Sequence, residues 1–191
     1  MADAAYQDEG IFTYRDYKEW ELKPRERYEL IDGIPYAMSA PNTAHQLTLM
    51  MLSNEIYNFL KGKPCKAIVS PFDVRLFYEE DESDDTVVQP DLVVICDPEK
   101  LGEEGCRGAP ELAVEILSPS NTAIEMERKL NLYQDAGVEE YWVVDPKSKN
   151  IRVYSLKDNK YSMKRYHTED TIQSGVLPGL TIPLAAVFEA V

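Results

Sequence analysis

Two short runs constrain this 191-residue chain most: Leu92-Val93-Val94-Ile95-Cys96 and Leu112-Ala113-Val114-Glu115-Ile116-Leu117. Strands this apolar are normally covered on both faces, which predicts a sheet packed between helices. Each run nevertheless carries an acid where packing alone would not put one. Asp91 follows Pro90 and enters the first run, and Glu115 lies inside the second. An unpaired carboxylate in that setting costs several kcal/mol, against the roughly 1 kcal/mol that separates β-propensities. Both acids therefore need a compensating cation or proton.

The text around them supplies helices and further strands. Residues 12–20 suggest a short helix with Thr13 as N-cap, and Asp32-Gly33 between Tyr28-Glu29-Leu30-Ile31 and residues 34–38 signals a tight hairpin. From 43 to 61 the residues Leu47, Met50, Met51, Ile56, Phe59 and Leu60 recur at helical spacing until Gly62 and Pro64 end the run. Segments 66–78, 86–96 and 111–117 read as strands, the first two joined by an acidic tract at 79–85. Thr122 and Glu125 form a capping box for a second helix that stops at Gly137, and strands resume at 141–144 and 151–156. The order predicts an α/β fold, a mixed central sheet flanked by helices, as one domain over 13–191 behind a tail at 1–12.

The second helix offers the compensating cation. At 100° per residue Met126, Leu130, Tyr133 and Ala136 share an arc that also holds Lys129, while Arg128 and Asp135 point elsewhere. A lysine on that face can reach toward the Glu115 strand. Two strand carboxylates and a lysine suit a Mg²⁺ (or Mn²⁺) site that hydrolyses phosphodiesters: acids hold the metal through oxygen, and the lysine steadies water or transition-state charge. Blander roles stand beside these: a strand-entrance cap for Asp91, a metal-free ion pair for Glu115, and snorkelling for Lys129. Glu29 beside the Asp-Gly turn reads equally as a solvated acid. His45, near the start of the first long helix, either approaches a phosphate or packs at the helix end.

At these residues the chain resembles the PD-(D/E)xK nuclease superfamily, with Pro90-Asp91 matching its first half. Leu117 stands where that signature places lysine, and Lys129 on the following helix is the candidate replacement. The strings Tyr28-Glu29-Leu30-Ile31-Asp32-Gly33, Gln89-Pro90-Asp91-Leu92, Glu115-Ile116-Leu117-Ser118-Pro119-Ser120, Lys129 with Tyr133, Gly137-Val138-Glu139-Glu140-Tyr141-Trp142, Val144-Asp145-Pro146 and Leu177-Pro178-Gly179-Leu180 are similar to the bacterial Uma-two family. That resemblance spans about residues 13–188, with Glu125 where the family often has Asp. It implies a restriction-endonuclease-like fold, metal binding by Asp91, Glu115 and the Ile116 backbone carbonyl, a catalytic Lys129, and Glu29 as an additional acid.

Charge sets a competing expectation. Asp plus Glu number 34 against 20 Lys plus Arg, a net charge of -14, which is unlike a general polyanion binder. The charge is segregated: residues 79–104 hold eleven acids and one lysine, whereas 147–165 hold seven bases and one acid. Lys147, Lys149, Arg152 and Lys164 are the candidate nucleic-acid contacts from that basic hairpin. Two functions follow: a Mg²⁺-dependent DNA endonuclease, or an inactive binding or assembly module of the same fold. A homodimer stays open. Three cysteines with no C-x-x-C spacing predict neither a disulfide framework nor a thiolate zinc site and suit a cytoplasmic protein. No apolar run nears the ~18 residues of a membrane span, and the first ten residues lack a secretory h-region.

Overall fold

The computed structural model describes residues 10–21 and 27–189, so most of the tail expected at 1–12, and the last two residues, lie outside it. Its elements run α1 (Tyr14–Glu21), β1 (Tyr28–Ile31), β2 (Ile34–Ala37), α2 (Thr43–Leu60), β3 (Lys66–Val69), β4 (Val74–Arg75), β5 (Val87–Val88) and β6 (Leu92–Ile95). After a 3-10 turn at Pro98–Lys100 come β7 (Cys106–Arg107), β8 (Leu112–Ile116), α3 (Ala123–Ala136), β9 (Glu140–Asp145), β10 (Asn150–Lys157) and β11 (Lys160–His167). The hairpin β12 (Thr171–Gln173) and β13 (Thr181–Pro183) leads into α4 (Leu184–Phe188).

The strands form a six-stranded sheet, β11-β10-β9-β8-β6-β3, and a five-stranded sheet, β2-β1-β5-β4-β7, giving one mixed α/β domain. The β8-α3-β9 unit is parallel, with Glu115 opposite Val143, while β6 runs antiparallel to β8 with Leu92 opposite Val114. One face of the larger sheet packs on α2, α4 and the β12–β13 hairpin through Leu52, Ile56, Trp142 and Phe188. The other face meets the smaller sheet and α3 through Val93, Ala113, Tyr133 and Tyr141. Helix α1 covers the outer face of the smaller sheet, packing Tyr14 and Tyr17 around Leu30 and Val87. Among the described residues no helix is long and apolar enough to cross a membrane.

Several sequence expectations are corrected. The strands expected over 66–78 and 86–96 each divide between the two sheets, because Pro71 and Pro90 lack the N–H that a continuous ladder requires. Helix α2 buries His45, Thr48, Leu49, Leu52, Ile56 and Leu60, while Leu47 and Met50 are 39% and 66% exposed. Its inward stripe runs i, i+4 from His45, a phase that the count of apolar residues obscured. The cysteines also differ from expectation. Cys65 and Cys96 form a disulfide, since they extend the β3–β6 register by one pair beyond Lys66 and Ile95. Among the described residues only Cys106 is free.

The ends of α3 follow the sequence closely. Thr122 accepts from the Glu125 N–H at 3.2 Å, Glu125 returns an acceptor to the Thr122 N–H at 2.7 Å, and Gly137 closes the helix in the left-handed region. Removing the cap oxygen takes the acceptor from the Glu125 N–H. Thr122→Ala is expected to lower stability by about 1 kcal/mol while Thr122→Ser restores most of it, read as denaturant midpoints at an unchanged m-value.

Candidate active site

The carboxylates predicted from the sequence converge on one lysine. Lys129 Nζ, on the inward side of α3, donates to Glu115 Oε1 at 2.8 Å and to Glu29 Oε1 at 3.0 Å. Glu115 projects from β8 and Glu29 from β1, so the ammonium joins both sheets. Tyr133, one helical turn beyond Lys129, donates its hydroxyl to the same Glu115 oxygen at 2.7 Å. Asp91 lies at the β6 entrance beside this cluster, where its Oδ2 accepts from the Ile116 N–H at 2.7 Å and lies 3.1 Å from His45 Nε2. His45 is held in turn by the first turn of α2, where its N–H donates to the N-cap Asn42 at 2.9 Å.

Asp91, Glu115, Lys129, Glu29, Ile116 and His45 all line one cleft of about 430 Å³. Both side chains at its floor are shielded, Asp91 at 16% and Glu115 at 13% exposure. The protein engages one oxygen of each acid; Asp91 Oδ1 and Glu115 Oε2 have no hydrogen-bond partner among the described residues. Fully ionised, three carboxylates against one ammonium leave a local charge of about -2, matched to a divalent cation. Among the described residues no group of three or more His, Cys, Asp or Glu is arranged to hold a metal ion. Two hard oxygen ligands in an open cleft fit Mg²⁺, which keeps waters and substrate oxygens in its remaining positions.

The surroundings set the charge states. Burial drives the Glu115 pKa up; Lys129 opposes that shift, and the charges of Glu29 and Asp91 add to it, leaving the group at about 7. Burial works against the Lys129 charge, but Glu115 and Glu29 outweigh it and hold the ammonium protonated beyond the ordinary lysine range. Burial, reinforced by Glu115 and Glu29, keeps the Tyr133 hydroxyl protonated and therefore donating.

The basic residues are arranged less simply than the sequence suggested. Arg152 occupies the same sheet row as Glu115, one strand beyond Val143, and lines a groove along α3 with Leu117 and Met126. Lys164 faces the opposite side of the sheet, over the Tyr166 ring at 4.4 Å, and Lys149 reaches the Phe188 carbonyl at the end of α4. Lys147 sits in the exposed β9–β10 turn. The four do not share one face.

Two cleft residues, Arg128 and Arg27, and the buried Gln89 behind them were not legible as site residues. Arg128 was expected to point away from Lys129; instead its guanidinium lies 4.4 Å from the centre of the Tyr36 ring, because the β1–β2 hairpin reaches across that flank of α3. Arg27 enters through Gln89, whose Oε1 accepts from Arg27 Nε at 3.0 Å and whose backbone N–H donates to Glu29 at 2.9 Å. The sequence signal for Gln89 was its place directly before Pro90-Asp91; nothing marked Arg27.

Comparisons with known proteins bear on the family and the fold. The Uma2 family model, described as "Putative restriction endonuclease", matches residues 14–185. An uncharacterized protein of Synechocystis sp. (strain ATCC 27184 / PCC 6803 / Kazusa) is 28% identical over 160 residues, which cover 83% of this chain and 82% of that protein. The crystal structure of "a putative nuclease belonging to DUF820" from Anabaena variabilis ATCC 29413 shares the fold. It has a TM-score of 0.70 at 17% identity and covers 90% of this chain and 96% of its own.

Because the folded pKa of Glu115 lies above its ordinary value of 4.5, the native state keeps a proton that the unfolded chain releases. Its contribution to stability is complete below pH 4.5 and is lost as the pH rises through about 7. Glu115→Gln is therefore expected to flatten the fall in metal-free stability between pH 5 and pH 8. Thermal melts of both proteins across that range check it; equal slopes would remove Glu115 as the titrating group.

Proposed function

The chain belongs to the Uma2 family, and we propose that it is a nuclease that hydrolyses DNA phosphodiester bonds internally, with Mg²⁺ or Mn²⁺ held by Asp91, Glu115 and the Ile116 carbonyl. The observation that carries this reading is the convergence of Asp91, Glu115 and Lys129 on one cleft, with an uncommitted oxygen on each acid. When bound, the metal would polarise the phosphoryl oxygen and lower the pKa of water.

The chain's own groups do the rest. The Ile116 N–H and His45 fix Asp91 by one oxygen and leave the other without a hydrogen-bond partner among the described residues. Tyr133 and Lys129 do the same for Glu115. The Lys129 ammonium lies 2.8 Å from one Glu115 oxygen and 3.0 Å from both oxygens of Glu29, and turning one N–H from Glu29 would let it orient water or meet charge that develops on phosphate oxygen. Glu29 keeps Lys129 charged and placed, a role one step removed from the reacting atoms. Of the basic residues outside the cleft, Arg152 is the best placed to meet a neighbouring phosphate, since its groove shares Leu117, Ser118 and Met126 with the cleft.

The binding-module alternative draws on the same contacts, because Lys129, Glu115 and Glu29 satisfy one another without a metal. The acidic tract supports it less, since Asp84 is buried in an ion pair with Arg75 and Glu82 is paired with Lys18. Metal titration and cleavage assays separate the two readings. Asp91→Ala is expected to lose both Mn²⁺ binding and cleavage. Lys129→Met is expected to keep Mn²⁺ binding and lose about 10²–10³ in rate, as when one transition-state donor is removed. Full activity in Lys129→Met would exclude a chemical role for the lysine; Mn²⁺ affinity unchanged in Asp91→Ala would exclude the metal site.

A further inference from the structure

The walls of the cleft restrict what can reach its floor. One wall is the β1–β2 hairpin with the segment after it, and the other is α3 with the loop that precedes it. They are joined across the rim: Ser39 Oγ lies 2.8 Å from Ser120 Oγ, which lies 2.7 Å from Ser118 Oγ. A second crossing is the Arg128 guanidinium over the Tyr36 ring. Beneath these ties the acids are largely shielded, within about 430 Å³, toward the lower end of the roughly 300–1,000 Å³ that encloses a small ligand. A base-paired duplex is broad and convex and cannot descend between tied walls, whereas an unpaired strand can thread them.

The lining suits such a strand. Arg27 and Arg128 make no ion pair among the described residues, in a chain whose acids outnumber its bases by 34 to 20. Neither guanidinium has a carboxylate partner among the described residues: Arg27 directs Nε and one terminal nitrogen to Gln89 Oε1 and Arg128 lies over Tyr36, and the N–H groups left over on each are matched to phosphate oxygens. Half-buried Tyr36 and Met126 give an apolar wall beside them, against which a base or sugar can pack. We propose that the cleft takes a single unpaired nucleic-acid strand, with Arg27 and Arg128 gripping phosphates on either side of the one at the floor. This rests on the nuclease reading and names its substrate class.

The test uses one labelled DNA oligonucleotide offered single-stranded, fully paired, and paired around a central bulge. Binding is measured with Ca²⁺ and cleavage with Mn²⁺. The single strand is expected to bind more tightly than the duplex, and cleavage to fall in the single strand and at the bulge. The full duplex should be cut on the order of 100-fold more slowly, because it must first open. Arg27→Ala and Arg128→Ala should each weaken single-strand binding and reduce the log-log salt slope by about 0.7 for every phosphate no longer neutralised, with Mn²⁺ affinity unchanged. Duplex bound and cut as readily as single strand would overturn the inference and leave the nuclease reading intact. Single-strand preference in binding with no cleavage of any substrate would support the inference and overturn the nuclease reading. Salt slopes unaltered in both arginine variants would remove the two guanidiniums from the strand path and overturn the proposal.

Discussion

Lys129 is the charge on which the site depends. Its ammonium is withdrawn from water on the inward side of α3, and it stays charged there because Glu115 on β8 and Glu29 on β1 face it. The dependence is mutual: without the lysine, two buried carboxylates in contact would repel each other and take up protons. Because those acids belong to different sheets, the same contacts that hold the charge state also hold the smaller sheet against the larger one. An electrostatic cluster is thus part of the packing between layers, and the cleft opens beside it.

The most legible residues were those that violated a pattern. Asp91 and Glu115 stood out because apolar strands have no reason of their own to carry acids, and Lys129 because it interrupts an apolar helical arc. Glu29 was ambiguous because a half-exposed strand beside an Asp-Gly turn carries acids whether or not they work. Its burial follows from α3 lying over that face, a tertiary fact. Arg128 was misplaced because a helical wheel fixes angle but not neighbours, and its flank is covered by a hairpin nearly a hundred residues earlier in the chain. The basic segment 147–165 looked like one surface because sequence shows charge density without strand facing. A β-strand sends alternate side chains to opposite faces, and the pattern divided accordingly.

The net charge of -14 is easier to reconcile with the proposed binding of phosphates once the acids are placed. Part of the acidic tract is internal structure: Asp84 pairs with Arg75 beneath Tyr14, Glu82 pairs with Lys18, and the Asp81 carbonyl accepts from Arg15 at 2.8 Å. These contacts dock α1 onto the smaller sheet. They consume basic residues far from the cleft, while Arg27 and Arg128 are left at its rim without carboxylate partners among the described residues. The balance over the whole chain therefore says little about the local field at the site.

The two contacts of Lys129 also differ in what the chain must do to reach them. Glu115 is 14 residues away, within a single strand-to-helix connection, whereas Glu29 is 100 residues away at the far end of the domain. Closing the longer loop costs roughly 2 kcal/mol more conformational entropy than closing the shorter one, if neither is assisted by other structure. The acid–lysine half of the site is thus a local property of β8 and α3, available to a partly ordered chain. The third carboxylate arrives only when the N-terminal hairpin has docked, so full assembly of the site reports that the two sheets have closed on each other.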